Sequence, residues 1–390
     1  MIVTALAIHG WFMVLNARGV FDSGFWEIMP LTQWFPGLPG TVDRGFSQEI
    51  MTRYTSFFLV FLCSIQWASN PRRLKILLYS VGISACLLAV LGIIQRAALA
   101  PSIYWANREI GSYFFATFRY HANAGAFFNL VWPVIAAAFL LSWHNWNLST
   151  RNRLILQFWS LALLAGTIAM LIHGSRAATA ISILLVLVWL WIHRLRMKSL
   201  FSISKMTAIS VILVIGLSLA ALSISILGHT SGRWAAIWDN SQSVEMRLNA
   251  YKTSLPMLPD AGVMGFGPGS FKWMFPFYGG GIEEGIPGFW RYLHQDYLQT
   301  VIEWGWLGAS LWFTLIIATI SRAIWLLSKP RKQLSENARL LLRGMLLGII
   351  AVGLHGIVDF PFQIFSIQIL IFIYLGCIWG IQLNTRHNST

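Results

Sequence analysis

Three cationic side chains mark where this chain concentrates its chemistry. His294 stands in RYLHQDYLQTVIEWGWLG, where a long polar interval running from Gly228 to Gly305 gives way to a new apolar span. An imidazole is the side chain whose ordinary pKa suits acid–base work near neutral pH. Tyr297 and Leu298 follow three and four positions later, which predicts that all three share one helical face. Arg247 lies in VEMRLNAYKTSLPMLPD, where Leu248, Tyr251 and Leu255 recur at helical spacing. That piece reads as an amphipathic helix lying on a membrane surface, with Tyr251 on the face of Arg247. Arg176 occurs in LIHGSRAATA, between two apolar spans with no loop around it. Arginine at membrane depth costs roughly 2.5–3.5 kcal/mol, so Gly174 and Ser175 are expected to make a tight outer turn that carries Arg176 to the interface.

An imidazole beside fixed guanidinium charge suits proton transfer on an anionic substrate. His294, Arg176 and Arg247 are therefore the candidate catalytic residues, with Tyr251, Lys252, Arg291 and Tyr297 as candidate substrate contacts. The bland alternatives are a snorkelling turn arginine, a solvated helix arginine and an interfacial histidine that only hydrogen-bonds. His355 and Asp359, four apart in GLHGIVDFPFQIFSIQ, are expected to pair structurally on one helical face.

Other motifs exclude chemistry. The run GFGPGS (Gly265 to Ser270) follows no strand and opens no βαβ unit, so it is not a dinucleotide fingerprint. A tight connector that lets backbones approach is the expectation. No Asp-x-Asp pair, no His-x-x-x-His and no carboxylate cluster beyond Glu283–Glu284 is found, so no metal and no cofactor is expected. Cys63, Cys86 and Cys377 all fall in apolar spans and argue against a disulfide framework.

The elements that position these residues follow from composition. The 390 residues are 56% hydrophobic and 11% charged, against about 25% charged in a soluble domain. Ten runs approach the roughly 20 residues that cross a bilayer: about 1–17, 52–69, 74–96, 121–142, 154–173, 176–193, 206–228, 296–327, 340–358 and 363–382. The first lacks the basic start and small-residue cleavage site of a signal peptide. The expected fold is an all-α integral membrane protein, one polytopic bundle over 1–390 with a large loop at 229–295 and no separate soluble domain. With the N-terminus inside, 16 of the 28 Lys and Arg residues and only Glu336 among the 14 acidic ones face the cytoplasm, as the positive-inside rule asks. The formal charge of +14 therefore describes a cytoplasmic rim in a lipid bilayer and implies no nucleic-acid partner. Trp26, Trp34 and Phe35 are expected at headgroup level, around the stiff turn WFPGLPG.

With GSRAATA, EMRLNAY, GFGPGSF, HQDYLQTVIEWGWLG and HGIVDFPFQI in this order, after a segment like FxxHANAGAF, the chain resembles the O-antigen ligase/O-antigen polymerase family. The likeness runs from about Tyr113 to Gly380. It implies about 10–12 transmembrane helices in the bacterial inner membrane and a large periplasmic loop carrying short helices. It also implies metal-independent transfer of a glycan from an undecaprenyl-diphosphate carrier. The acceptor would be a lipid A-core, a growing glycan or a protein hydroxyl. The family's functional arginines fall on Arg176 and Arg247 and its histidine on His294, while Tyr251 stands where an indole is common. A polymerase of the same family, and an anion or bicarbonate transporter, are the alternative expectations.

Overall fold

The computed structural model describes residues 1–106, 114–144, 149–201, 241–279 and 290–383. Its elements begin with α1 (Ile2–Leu15), β1 (Gly19–Asp22), β2 (Glu27–Pro30), α2 (Arg44–Ala68) and α3 (Pro71–Ala97). Next come α4 (His121–His144), α5 (Thr150–Ile172) and α6 (Arg176–Phe201). The short helices α7 (Ser241–Ser254), α8 (Met257–Ala261) and α9 (Phe271–Gly279) precede α10 (Asp296–Ser328), α11 (Glu336–His355) and α12 (Phe365–Gly380). Helices occupy nine of the ten expected spans. The tenth, 206–228, lies outside the described residues, as do Glu283 and Glu284. Among the described residues, six helices, α3, α4, α5, α6, α10 and α11, are long and apolar enough to cross a membrane, and α1 and α12 are shorter apolar helices. The fold is an all-α, polytopic membrane protein.

The chain forms two compact units. One comprises Gln66–Asp239, Trp325–His355 and Gly380–Thr390. Its central helix is α4, of whose apolar window 94% is buried. Lipid gives helices no hydrophobic drive to associate, so close backbone approach at small residues does the work. A Cβ on Gly344 or Gly348 of α11 would fall 2.8 Å from the Pro133 carbonyl oxygen or 2.3 Å from that of Leu130 in α4. On another side, Asn129 donates its amide to the Ala178 carbonyl at 3.0 Å and accepts the Ser182 hydroxyl at 2.7 Å, which clasps α4 to α6. The expected tight turn before α6 is present: α5 ends at Ile172, Gly174 has φ 95°, and Ser175 offers its Oγ to the Ala178 N–H at 3.4 Å.

The other unit comprises Met1–Ile65, Asn240–Ile324 and Gly356–Trp379. It contains a feature absent from the sequence expectations, an antiparallel hairpin pairing Gly19 with Pro30 through Asp22 with Glu27. Four-residue strands are too short for alternation to stand out in the sequence. Beyond the hairpin, the WFPGLPG turn is pinned by Asn16, whose amide donates to the carbonyls of Phe35, Leu38 and Pro39 at 3.1–3.2 Å. Trp26, Trp34 and Phe35 are all exposed.

The GFGPGS run has a definite structural task in this unit. Helix α10 breaks at Gly305, where φ is 63°. The break frees backbone groups, which in an apolar setting must find partners. Phe266 and Gly267 donate to the carbonyls of Ile302 and Glu303 at 3.1 and 2.9 Å, and Trp306 and Leu307 donate to those of Gly262 and Val263 at 3.2 and 3.0 Å. A side chain at Gly265 (φ 81°) would put its Cβ 2.4 Å from the Glu303 oxygen and the Gly305 nitrogen. Glycine is thus required for two backbones to meet, and the expected connector is what the run builds.

Candidate functional site

His294 is fixed from both sides. Leu293 is fully buried in a small core with Ala250, Met257, Phe271, Phe275 and Ile302, and its N–H donates to the Gln299 side chain at 2.9 Å. Two residues after His294 the Asp296 N–H donates to the Gly356 carbonyl at 2.9 Å, and the Asp296 carboxylate accepts the Phe362 N–H at 2.8 Å. These bonds tie the start of α10 to the turn between α11 and α12. Between the two anchors His294 takes φ 61°, a left-handed conformation that costs a residue with a Cβ roughly 1–2 kcal/mol. His294 therefore precedes the helix and does not share a helical face with Tyr297 and Leu298 as expected, since α10 begins at Asp296.

The left-handed step aims the imidazole at the α11–α12 turn. His294 Nδ1 lies 3.1 Å from Asp359 Oδ1, with the histidine side chain 24% exposed and the aspartate 4%. An ionised carboxylate only accepts hydrogen bonds. Asp359 Oδ1 also accepts the Phe360 N–H at 3.0 Å; facing an ionised carboxylate, Nδ1 is the donor of this contact, and in the neutral imidazole that tautomer has Nε2 as its acceptor. The rings of Phe360 and Trp290 stand edge-on to the imidazole, with centroids 4.6 and 5.7 Å away. The expected pairing of Asp359 with His355 is replaced by this contact. Helix α11 ends at His355, so the four-residue helical spacing does not continue to Asp359.

Helix α7 supplies two further groups, and its apolar residues Val244 and Leu248 are exposed, as is Leu255 just past its end. Tyr251 donates its hydroxyl to the His294 carbonyl at 2.6 Å, which holds the strained residue in place. Burial pushes this phenol's pKa up, the Arg247 charge opposes the shift and Asp359 reinforces it. Arg247 donates from an Nη to the Val358 carbonyl at 3.0 Å, beside Asp359. His294, Asp359, Tyr251 and Arg247 are thus brought together.

The remaining candidates are placed differently. Arg176 is the first residue of α6, half-buried, in the other unit. Tyr297 is half-buried near the rings of Phe313 and Phe362. Arg291 is exposed, its guanidinium over the rings of Phe46 and Tyr292, and Lys252 is exposed on α7. Among the described residues, no group of three or more His, Cys, Asp or Glu side chains is placed to hold a metal ion.

The family model described as O-antigen ligase matches residues 161–313, which span Arg176, Arg247, Tyr251 and His294. Residues 161–313 belong to the O-antigen ligase family. That family identifies a membrane glycosyltransferase of the ligase or polymerase type. No curated protein matches the chain. Asp359 lies beyond the matched stretch and is found only from the geometry. The signal in the sequence that bears on it is an acidic residue in an otherwise apolar outer turn.

Proposed function

We propose that this chain moves a glycan from an undecaprenyl-diphosphate carrier to an acceptor hydroxyl at the periplasmic face of the bacterial inner membrane. The observation that carries the reading is the His294–Asp359 pair in a chain whose residues 161–313 match the O-antigen ligase family model. Asp359 holds the imidazole tautomer that leaves Nε2 as the proton acceptor. The acceptor oxygen gives its proton to Nε2 and attacks the anomeric carbon. The bond from that carbon to the phosphate oxygen breaks, and its electron pair leaves with undecaprenyl diphosphate. A direct displacement of this kind inverts the anomeric centre.

Negative charge grows on the leaving diphosphate, so guanidinium forks are the suitable counter-charge. Arg247 is assigned that role in the unit of His294, with Arg291 and Lys252 as outlying cations, and Arg176 holds it by the family resemblance alone. Tyr251 positions His294, and Tyr297 contributes an aromatic wall. The acceptor is a lipid A-core in the ligase reading and a growing glycan in the polymerase reading.

The test is transfer in reconstituted membranes, using lipid-linked glycan with lipid A-core in one arm and carrier-linked glycan in the other. Wild type, His294→Ala and the exposed-residue control His144→Ala are compared. Product in one arm with the wild type, lost in His294→Ala alone, is the expected result. A His294→Ala rate within about threefold of wild type removes the histidine from the mechanism, since general-base work contributes about 10²- to 10⁴-fold.

A further inference from the structure

Beside the His294 site, in the same unit, lies a pocket whose walls include Arg53, Tyr54, Arg291, Tyr292, Glu303 and Gln368. Its void is about 20 Å³. A single water-sized group needs about 10–15 Å³, so the pocket takes one or two hydroxyl-sized groups, and a larger ligand inserts only an edge.

Two wall residues keep unused hydrogen-bonding capacity. Gln368 is 6% exposed; its amide nitrogen donates to the Phe362 carbonyl at 2.6 Å and the Tyr54 hydroxyl oxygen at 3.2 Å, while its Oε1 is buried with no partner. An orphaned buried acceptor costs about 1–3 kcal/mol, which a donor entering the pocket would offset. Glu303 is 5% exposed and makes no ion pair with any described residue. It accepts from the Gln299 amide at 3.0 Å, the Phe271 N–H at 3.4 Å and the Gly269 backbone. A carboxylate offers about four acceptor sites, so capacity for a ligand donor remains.

These acceptors select the ligand. The walls also carry the guanidinium donors of Arg53 and Arg291, so the ligand must both donate and accept; a fully ionised phosphate only accepts and leaves the Gln368 oxygen unpaired. A sugar hydroxyl, donor and acceptor at once, can serve both sets of partners. The pocket is also close to the chemistry. Tyr292 stacks on Phe360 with centroids 4.7 Å apart, and Phe360 stands edge-on to His294 at 4.6 Å.

We infer that this pocket is a saccharide subsite in which Glu303 and Gln368 hold hydroxyls of the sugar next to the bond being made. The inference rests on the glycosyl-transfer reading for its biological meaning, and its test needs no turnover. The full chain in lipid nanodiscs is probed by saturation-transfer NMR with D-glucose, D-galactose and N-acetyl-D-glucosamine. At least one sugar should give saturation in the wild type and in His294→Ala. Glu303→Gln, which preserves shape, and Gln368→Leu should each weaken binding about tenfold, as loss of a hydrogen bond to a charged or buried group implies. Displacement by carrier-linked glycan assigns the subsite to the donor, and displacement by lipid A-core assigns it to the acceptor; either supports the inference. No saturation with any of the three sugars, equal binding in both pocket variants, or displacement by neither substrate overturns it. An inactive wild type that still binds sugar through Glu303 would sink the transfer reading and leave the subsite standing.

Discussion

His294 and Asp359 meet at 3.1 Å across 65 positions of sequence, and they do so because His294 adopts a left-handed backbone conformation at φ 61°. An extended or helical residue there would direct its side chain elsewhere. The first prediction concerns the carboxylate. Asp359→Asn keeps size but presents an amide that can donate to Nδ1 and favour the wrong tautomer. Transfer should fall by about 10²-fold or more, with normal membrane levels. A slowed rate at unchanged KM is the expected pattern in steady-state assays, and an Asp359→Asn enzyme of full activity would falsify the assignment.

The backbone of His294 separates stability from activity. Glycine reaches positive φ without the Cβ penalty, whereas alanine retains it. His294→Gly should therefore be about as stable as His294→Ala or more so, by about 1 kcal/mol at most, while both lose transfer. Thermal melts in detergent measure the first, and product formation the second. A His294→Gly protein that melts well below His294→Ala would mean that the conformation carries no strain.

A third expectation concerns the junction of Gly265 with the break in α10. Gly265→Ala places a methyl 2.4 Å from the Glu303 oxygen and the Gly305 nitrogen, at φ 81°. Backbone cannot yield there as a flexible side chain would, so the hydrogen bonds that cover the break are lost together. Destabilisation of about 3 kcal/mol or more is expected, read as a marked fall in melting temperature. Gly279→Ala, where no described atom lies within 4 Å of the added Cβ, should melt near wild type.

Much of this architecture is legible in the sequence, for physical reasons. Apolar runs of span length mark the membrane helices, because lipid leaves the backbone few alternatives. Gly174 before Arg176 announces a tight turn, and the glycines of GFGPGS announce close backbone approach. His294 stands out in the sequence as an imidazole at the edge of an apolar span, and Arg247 and Tyr251 as one face of an amphipathic surface helix. Three features are not legible in this way. Asp359 faces His294 only because α11 stops at His355, and helical spacing wrongly pairs it within its own segment. The φ of His294 depends on Leu293 and Asp296 being held by distant partners, which no local pattern encodes. The hairpin at Gly19–Asp22 and Glu27–Pro30 is too short for a period-two signal.

The last prediction concerns pH and the turn that presents Arg176. His173 closes α5 and is fully buried, and its Nδ1 accepts the Ser175 N–H at 2.9 Å. Burial, with the nearby His121, His355 and Arg96 charges, pushes its pKa down from 6.5 to about 3. The unfolded chain therefore takes up this proton first as pH falls. The stability that the neutral imidazole contributes is full above about pH 6.5 and is lost progressively as pH falls toward about 3. The slope within that window is at most about 1.4 kcal/mol per pH unit. His173→Asn retains an acceptor for the Ser175 N–H and removes the titration. Melting temperatures of wild type and His173→Asn, taken at intervals from pH 7.5 down to 4.5, should run parallel above neutrality and diverge below it, the wild type falling faster. Parallel curves throughout would mean that His173 is protonated at no cost, and that the turn before Arg176 is open to water.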